Sequence, residues 1–368
     1  MIHIAVGTKA QLIKMTPLII SLRNRKVPFR LIDLGQHSLI TRDLREEFNL
    51  DDPDVYLSRG ENVSTLWQGM KWLIRSFAKS LSASGVRKSV FGGQGGVCLI
   101  HGDTVSTILG LYLAKRAGIP VAHIEAGLRS YSWFDPFPEE IIRLIAMRFS
   151  DILFAPSQWA YNNLIKMGYG KKIVLVPGNT GYETVLASLA KPVTLDLPSQ
   201  DFCLVTFHRF ENIYSRKRLV FIIELLEEIS KEITVVFVQH EPTRHQLIKY
   251  GLLDRLERIR NKYYCKILSH AHFIHVLDKS RFVLTDGGSI QEESFYLNKP
   301  CLLLREKTER NEGLGENVVL SCFDRKTAQN FIRNYGDFRR EKTELPQKNM
   351  PSDVIVGHLE PFISKNNF

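Results

Sequence analysis

Four residues whose side chains can carry protons stand where strand-like runs end. Asp103 follows the apolar run Val97–Ile100 within His101-Gly102-Asp103-Thr104. Glu125 closes Val121–Ile124 in His123-Ile124-Glu125-Ala126-Gly127-Leu128-Arg129, and Glu139 opens a helical pattern in Pro136-Phe137-Pro138-Glu139-Glu140. His208 follows Phe202–Thr206 in Thr206-Phe207-His208-Arg209-Phe210-Glu211-Asn212. Each has an ordinary reading. Asp103 can cap the helix starting at Thr104, the paired glutamates can favour a helix N-terminus, and a lone His after a strand is usually structural. As a set they say more. Three carboxylates aimed at one cleft repel one another, which raises a pKa and keeps a proton available for general acid–base work.

A second pattern is a turn. Asp286-Gly287-Gly288-Ser289-Ile290-Gln291-Glu292-Glu293 follows the apolar run Phe282-Val283-Leu284 and opens a helix. Strand, small residues and helix start expose backbone N–H groups to a diphosphate. The glutamates in the first turns can accept hydrogen bonds from sugar hydroxyls. Lys9 and Lys14 can reach the same phosphates, as can Arg310. The alternatives are a turn capped by Ser289, and a surface ion pair of Arg310 with Glu309 or Glu312.

These residues need elements to place them. Apolar runs without alternation, separated by helical stretches, predict parallel sheets covered on both faces. The predicted strands are Ile2–Val6, Phe29–Leu34, Val97–Ile100, Val121–Ile124, Ile152–Phe154 and Ile173–Val176, then Phe202–Thr206, Thr234–Val238, Cys265–Leu268, Phe282–Thr285 and Cys301–Leu304. A break near Leu186–Gln200 separates the two sets. The fold class is α/β: two doubly wound Rossmann-like domains, residues 1–185 with the carboxylates and 186–350 with the nucleotide turn. Ligands of such sheets sit at the strand C-termini, here in an interdomain cleft. Ser80–Gly96 predicts a loop, Asp337–Pro351 an irregular segment, and residues 351–368 a terminal helix returning to the first domain.

Composition narrows the classes. The chain has 368 residues, 44% hydrophobic and 24% charged, ordinary for a globular protein. No run has the apolar length of a bilayer span, and the start lacks a signal-peptide pattern, so the expected location is the cytoplasm. The net charge of +10 favours an anionic partner. Basic residues are spread without aromatic interleaving, which argues against nucleic acid. Five scattered cysteines predict buried thiols, neither a disulfide frame nor a metal site.

The motifs, in order, identify a resemblance. Gly7-Thr8-Lys9 with Ile13-Lys14-Met15, Gln36-His37, the Asp103 and Glu125 motifs, Pro138-Glu139-Glu140, Gly178-Asn179-Thr180, His208 to Asn212, Thr285 to Glu293 and Thr308-Glu309-Arg310 resemble the non-hydrolysing UDP-N-acetylglucosamine 2-epimerases. That resemblance implies the two-domain GT-B fold, a homodimer, a UDP-sugar substrate, and no cofactor or metal. It implies interconversion of UDP-GlcNAc and UDP-ManNAc, feeding a surface polysaccharide. By position, Asp103, Glu125 and Glu139 match the acid–base carboxylates and His208 a histidine near the phosphates. Gly287, Gly288, Ser289 and Arg310 match the diphosphate site, Glu293 the ribose ligand and Phe273 an aromatic on uracil. Lys9, Lys14, Gln36 and Arg129 fall in substrate-binding motifs. The chain departs from the pattern at Lys9 (usually Arg), Gln11 (usually Glu), and Ser38-Leu39 (usually Arg-Glu). The last change predicts loss of a second, activating substrate site. Rival readings are a hydrolysing epimerase, a GT-B glycosyltransferase and a non-catalytic sensor.

Overall fold

The structure, a computed structural model, describes residues 1–36, 38–57, 71, 82–132, 138–265, 269–340 and 349–364. The chain divides into two compact units, Met1–Thr184 with Pro346–Phe368, and Val185–Leu345.

Among the described residues, the first unit holds seven parallel strands: β1 (Ile2–Val6), β2 (Phe29–Asp33), β3 (Val55–Tyr56), β4 (Val97–His101), β5 (Val121–Ile124), β6 (Ile152–Ala155) and β7 (Ile173–Leu175). Their order is β3-β2-β1-β4-β5-β6-β7. The chain therefore reverses its winding between β1 and β4, which opens a crevice at their C-terminal ends. Successive residues of β4 join different cores: Val97 and Leu99 lie in one cluster, Cys98 and Ile100 in the other. Both faces are thus covered, and the strand reads as an unbroken apolar run. The helix Lys9–Asn24 begins with a capping box. Thr8 Oγ1 accepts from the Gln11 N–H, and Gln11 Oε1 accepts from the Thr8 N–H.

The second unit holds β8 (Phe202–Thr206), β9 (Thr234–Val238), β10 (Lys262–Cys265), β11 (Val283–Thr285), β12 (Cys301–Leu303) and β13 (Val318–Leu320), all parallel, in the order β10-β9-β8-β11-β12-β13. Its winding reverses between β8 and β11, and the His208 loop and the Gly287–Ser289 turn follow those two strands.

Several expectations are corrected. Part of Ser80–Gly96 is helical, over Ala83–Ser89. Ser82 Oγ accepts from the Gly85 N–H, and Val86, Val90 and Phe91 are buried. The two-residue strand β3 lacks an apolar run long enough to announce it, and β13, over the apolar Val318–Leu320, adds a strand to those expected. The strand expected over Cys265–Leu268 is Lys262–Cys265, and residues 266–268 lie outside the described ones. The break expected over Leu186–Gln200 is helical only at its start, where the helix Gly181–Leu189 continues, and is irregular over residues 190–201. The terminal helix runs Pro351–Leu359, with Pro351 in its first turn where a missing N–H costs nothing. Its Ile355, Val356 and Leu359 sit in the first unit's core. Cys322 is exposed; the other four thiols are buried. His37 and the side chains of Ser38 and Leu39, on which the expected loss of a second substrate site rests, lie outside the described residues, as do residues 133–137.

Candidate active site

In the first unit, glycines bring three loops together. A Cβ on Gly7 would lie 2.5 Å from Ser106 Cβ, so the turn after β1 needs glycine to approach the turn after β4. Gly102 has φ +64°, a left-handed conformation that favours glycine, and turns the chain so that Asp103 leaves the strand end. Thr104, not Asp103, occupies the N-cap of the helix Val105–Arg116. The Asp103 carboxylate instead meets Arg143 Nη2. Arg143 is 1% exposed, and its Nη1 donates to Glu140 Oε2 at 2.9 Å.

Glu125 also has a left-handed φ, +68°. That conformation costs a non-glycine residue roughly 1–2 kcal/mol, and such strain clusters at functional sites. Its Oε1 accepts from Lys14 Nζ at 2.5 Å and from Asn179 Nδ2 at 2.7 Å, and its Oε2 lies 3.6 Å from His101 Nε2. Each of the two carboxylates has its own cation, Lys14 or Arg143. Local charge balance thus replaces the mutual repulsion expected from the sequence. Glu139 is the first residue of the helix Glu139–Phe149 and is half-buried. His123 is fully buried beneath this group. Burial lowers its pKa to about 4, with the Gly102 carbonyl opposing, and its Nε2 lies 2.8 Å from that carbonyl oxygen.

Other residues expected at the substrate already hold partners in the first unit. Lys14 is on Glu125, Gln36 Oε1 accepts from the Ser106 N–H at 3.1 Å, and Arg129 Nε donates to Glu140 Oε1 with its guanidinium over the Tyr131 ring. Lys9 is half-buried at the start of its helix.

In the second unit, buried Asp286 joins the two switch-point strands. Its carboxylate accepts from the backbone N–H groups of His208 and Arg209 and from Asn212 Nδ2, at 2.9–3.1 Å. The His208 side chain stays 43% exposed, its ring 4.4 Å from that of His240. The helix Gly288–Tyr296 has Gly287 at its N-cap and no side-chain cap, so Ser289 is not the cap. Its first N–H groups have no partner within the helix and point toward an anion's position. Gly288 has a steric reason as well: a Cβ there would lie 2.8 Å from Arg310 Nε. Arg310 is buried; its Nη1 meets Glu292 Oε1 at 2.6 Å and its Nε lies 3.8 Å from Glu309 Oε1, so the pairing with Glu309 is present but buried and not at the surface. Buried Glu293 has Oε1 3.3 Å from His270 Nε2, while its Oε2 takes no hydrogen bond within the chain. Phe273 lies one turn beyond His270, half-buried against the same unit's core.

Among the described residues no cluster of three His, Cys, Asp or Glu side chains could hold a metal, and no helix is long and apolar enough to cross a membrane.

The sequence profile of the UDP-N-acetylglucosamine 2-epimerases matches residues 21–350. The chain belongs to that family. It is 30% identical over 337 residues to the UDP-N-acetylglucosamine 2-epimerase of Methanocaldococcus jannaschii, covering 87% of this chain and 88% of that one. It is 37% identical over 231 residues to the UDP-2,3-diacetamido-2,3-dideoxy-D-glucuronate 2-epimerase of Pseudomonas aeruginosa, 61% and 63% of the two chains. The crystal structure of the M. jannaschii UDP-GlcNAc 2-epimerase in complex with UDP-GlcNAc and UDP superposes with a TM-score of 0.82 at 27% identity, over 98% of this chain and 99% of that one. The two doubly wound units are of the GT-B type shared by these epimerases.

Sequence reasoning left Arg143, Glu140, Asn179, Gln11 and Asp286 without roles. The i, i+3 spacing of Glu140 and Arg143 is a readable signal for a helix ion pair. The Asp103–Arg143 and Glu125–Asn179 contacts join residues 40 and 54 positions apart, and no local pattern announces them.

Proposed function

We propose that this member of the family interconverts UDP-GlcNAc and UDP-ManNAc, or a substituted relative, without hydrolysis. The observation that carries the reading is a pair of cation-matched carboxylates at adjacent strand ends, buried Glu125 on Lys14 and part-buried Asp103 on Arg143. A carboxylate removes the C2 proton. The C2–H electrons form a C1=C2 double bond, and the C1–O bond breaks with its electron pair leaving on UDP. A second carboxylic acid then delivers a proton to the opposite face of C2. The UDP oxygen re-adds to C1, and no water is consumed. Asp103, Glu125 and Glu139 are the proton carriers, and none of these steps calls for a metal or redox group.

The second unit supplies the nucleotide grip. The helix start at Gly287–Ser289 and Arg310 take the diphosphate, with His208 beside it. Glu293 takes the ribose through its Oε2, and Phe273 packs on uracil. In the first unit, Lys9 and Gln36 are further substrate contacts. The protein works as a cytoplasmic homodimer.

Incubation with UDP-GlcNAc in D2O, followed by NMR, tests the reading. Deuterium at C2 with both UDP-sugars present and no free ManNAc is the expected result. Free sugar accumulating with UDP would establish the hydrolysing reaction instead. No exchange with UDP-GlcNAc, or with the 2,3-diacetamido uronate suggested by the P. aeruginosa relative, would overturn it.

A further inference from the structure

The paired glutamates at the start of one helix differ in environment. Glu139 is half-buried, whereas Glu140 is closed off from solvent. Glu140 Oε1 accepts from Arg129 Nε. Its Oε2 accepts from the Ser130 N–H at 3.0 Å and from Arg143 Nη1 at 2.9 Å. Arg143 carries the other end of its fork to Asp103. Arg129, Glu140, Arg143 and Asp103 therefore form one chain of alternating charge. Through it Glu140 touches the arginine that holds Asp103 and two residues of the loop that follows Glu125. It fixes the loop that leaves Glu125 at Arg129 and Ser130, it neighbours Glu139 on the same turn, and it sets the arginine that holds Asp103.

We infer that Glu140 is a positioning residue for C2 proton transfer, acting on Asp103 through Arg143 and on the Glu125 loop through Arg129 and Ser130. The inference rests on the proposed function for its chemistry and on the geometry for its placement. Burial would raise the Glu140 carboxyl, but the Ser130 N–H, Arg129 and Arg143 together hold it below the ordinary glutamate value. It is therefore a fixed anion at neutral pH and not a fourth proton carrier. Arginine suits the central place because its planar fork grips two carboxylates in set directions, which a lysine ammonium does not.

The test compares Glu140→Gln and Arg143→Lys with the wild type in C2 deuterium exchange, with UDP-induced melting shifts as a control. Misplacing a reacting group by about 1 Å costs on the order of 100-fold in rate. Glu140→Gln should lower kcat for exchange by roughly that factor while KM stays within about twofold. Arg143→Lys keeps the charge and loses the fork, and should lower kcat roughly tenfold. Both should retain the UDP shift. Wild-type kcat in either folded variant overturns the inference, and so does a parallel loss of KM and the UDP shift, which would mean general damage. If Glu140→Gln does not fold, Arg143→Lys decides. If the wild type itself exchanges no C2 proton, the proposed function fails separately. The positioning claim is then read from the variant's crystal structure, where an unmoved Asp103 carboxylate overturns it.

Discussion

The two units solve different problems with the same sheet order. In the first, the side chains aimed at chemistry are matched in advance: buried Glu125 with Lys14 and Asn179, part-buried Asp103 with buried Arg143. In the second, the groups offered at the switch point are the backbone start of the helix Gly288–Tyr296, a half-exposed imidazole and one oxygen of Glu293. A proton carrier must be held in one place against a carbon atom, so its partners are fixed in advance. A diphosphate brings its own charge and needs waiting donors, so the partners there are left open. The contrast predicts that damage to the first unit lowers turnover with binding intact, and damage to the second lowers binding.

The largest effect should come from the first unit's carboxylates. Glu125→Gln keeps the size and one acceptor oxygen but removes the proton carrier, and Asp103→Asn does the same beside Arg143. Each should cut C2 exchange by on the order of 100-fold or more. UDP should still raise the melting temperature, since a ligand bound only by the folded state shifts the folding equilibrium. Exchange near the wild-type rate in both variants would remove the proposed mechanism. If either lost the UDP shift instead, the division of labour between the units would be wrong.

Next comes the helix start of the second unit. Gly288→Ala places a methyl 2.8 Å from Arg310 Nε and 3.2 Å from Glu309 Oε1. Arg310 is buried against Glu292 and cannot move aside freely. The variant should weaken UDP roughly tenfold or more, about 1.4 kcal/mol of binding, measured by calorimetry. Turnover at saturating substrate should fall much less. Unchanged UDP affinity would show that the diphosphate lies elsewhere.

Acid should separate the units too. Burial lowers the pKa of His3 and His123 from 6.5 to about 4, with the Gly95 and Gly102 carbonyls opposing. Both belong to the first sheet. As pH falls below about 6.5 the unfolded chain takes up protons that the folded chain refuses. Stability present above pH 6.5 is therefore lost toward pH 4, on the order of 1–3 kcal/mol for each histidine. Glu183, which burial pushes up against its bonds from Ser352, works in the opposite sense and offsets part of the loss. Amide exchange at β4 and β5 should quicken at pH 4.5 before that at β8 and β11. Equal loss in both sheets would refute the assignment.

The order of these effects follows what could be read in the sequence. The unalternating apolar runs gave away the central strands because both faces of each sheet are buried, as the split of Val97–Ile100 between two cores illustrates. The two-residue strand Val55–Tyr56 left no such trace, and the helix Ala83–Ser89 was masked by Ser and Gly that read as loop. At the site, strand-end position picked out Asp103, Glu125 and His208. The cations that balance the two carboxylates arrive from helices far along the chain, Lys14 from 111 positions before Glu125 and Arg143 from 40 after Asp103. Chain distance hid the pairing, and so the expectation of mutual repulsion was physically sound but incomplete.

The smallest predicted effect sharpens the comparison at Gln11. Its side chain is buried, and its Oε1 accepts from the Gly7 and Thr8 N–H groups and from Ser106 Oγ. Its Nε2 donates to the His101 carbonyl at 2.8 Å and to Thr107 Oγ1 at 3.0 Å. One amide thus stitches the turn after β1 to the turn that carries Asp103. A glutamate could keep the acceptor half, with stronger bonds to the N–H groups. It could not donate, and its second oxygen would face the His101 carbonyl oxygen. A buried acceptor that loses its donor costs about 1–3 kcal/mol, partly repaid here by the charged cap. Gln11→Glu should therefore lower the melting temperature by a few degrees, a loss of about 1 kcal/mol. It should slow C2 exchange severalfold through a small shift of Asp103, with UDP affinity unchanged. A gain in stability would mean that the Gly7-Thr8 turn, and not the link to His101, governs this corner, and the first unit's site would then be less dependent on fixed side-chain partners than argued above.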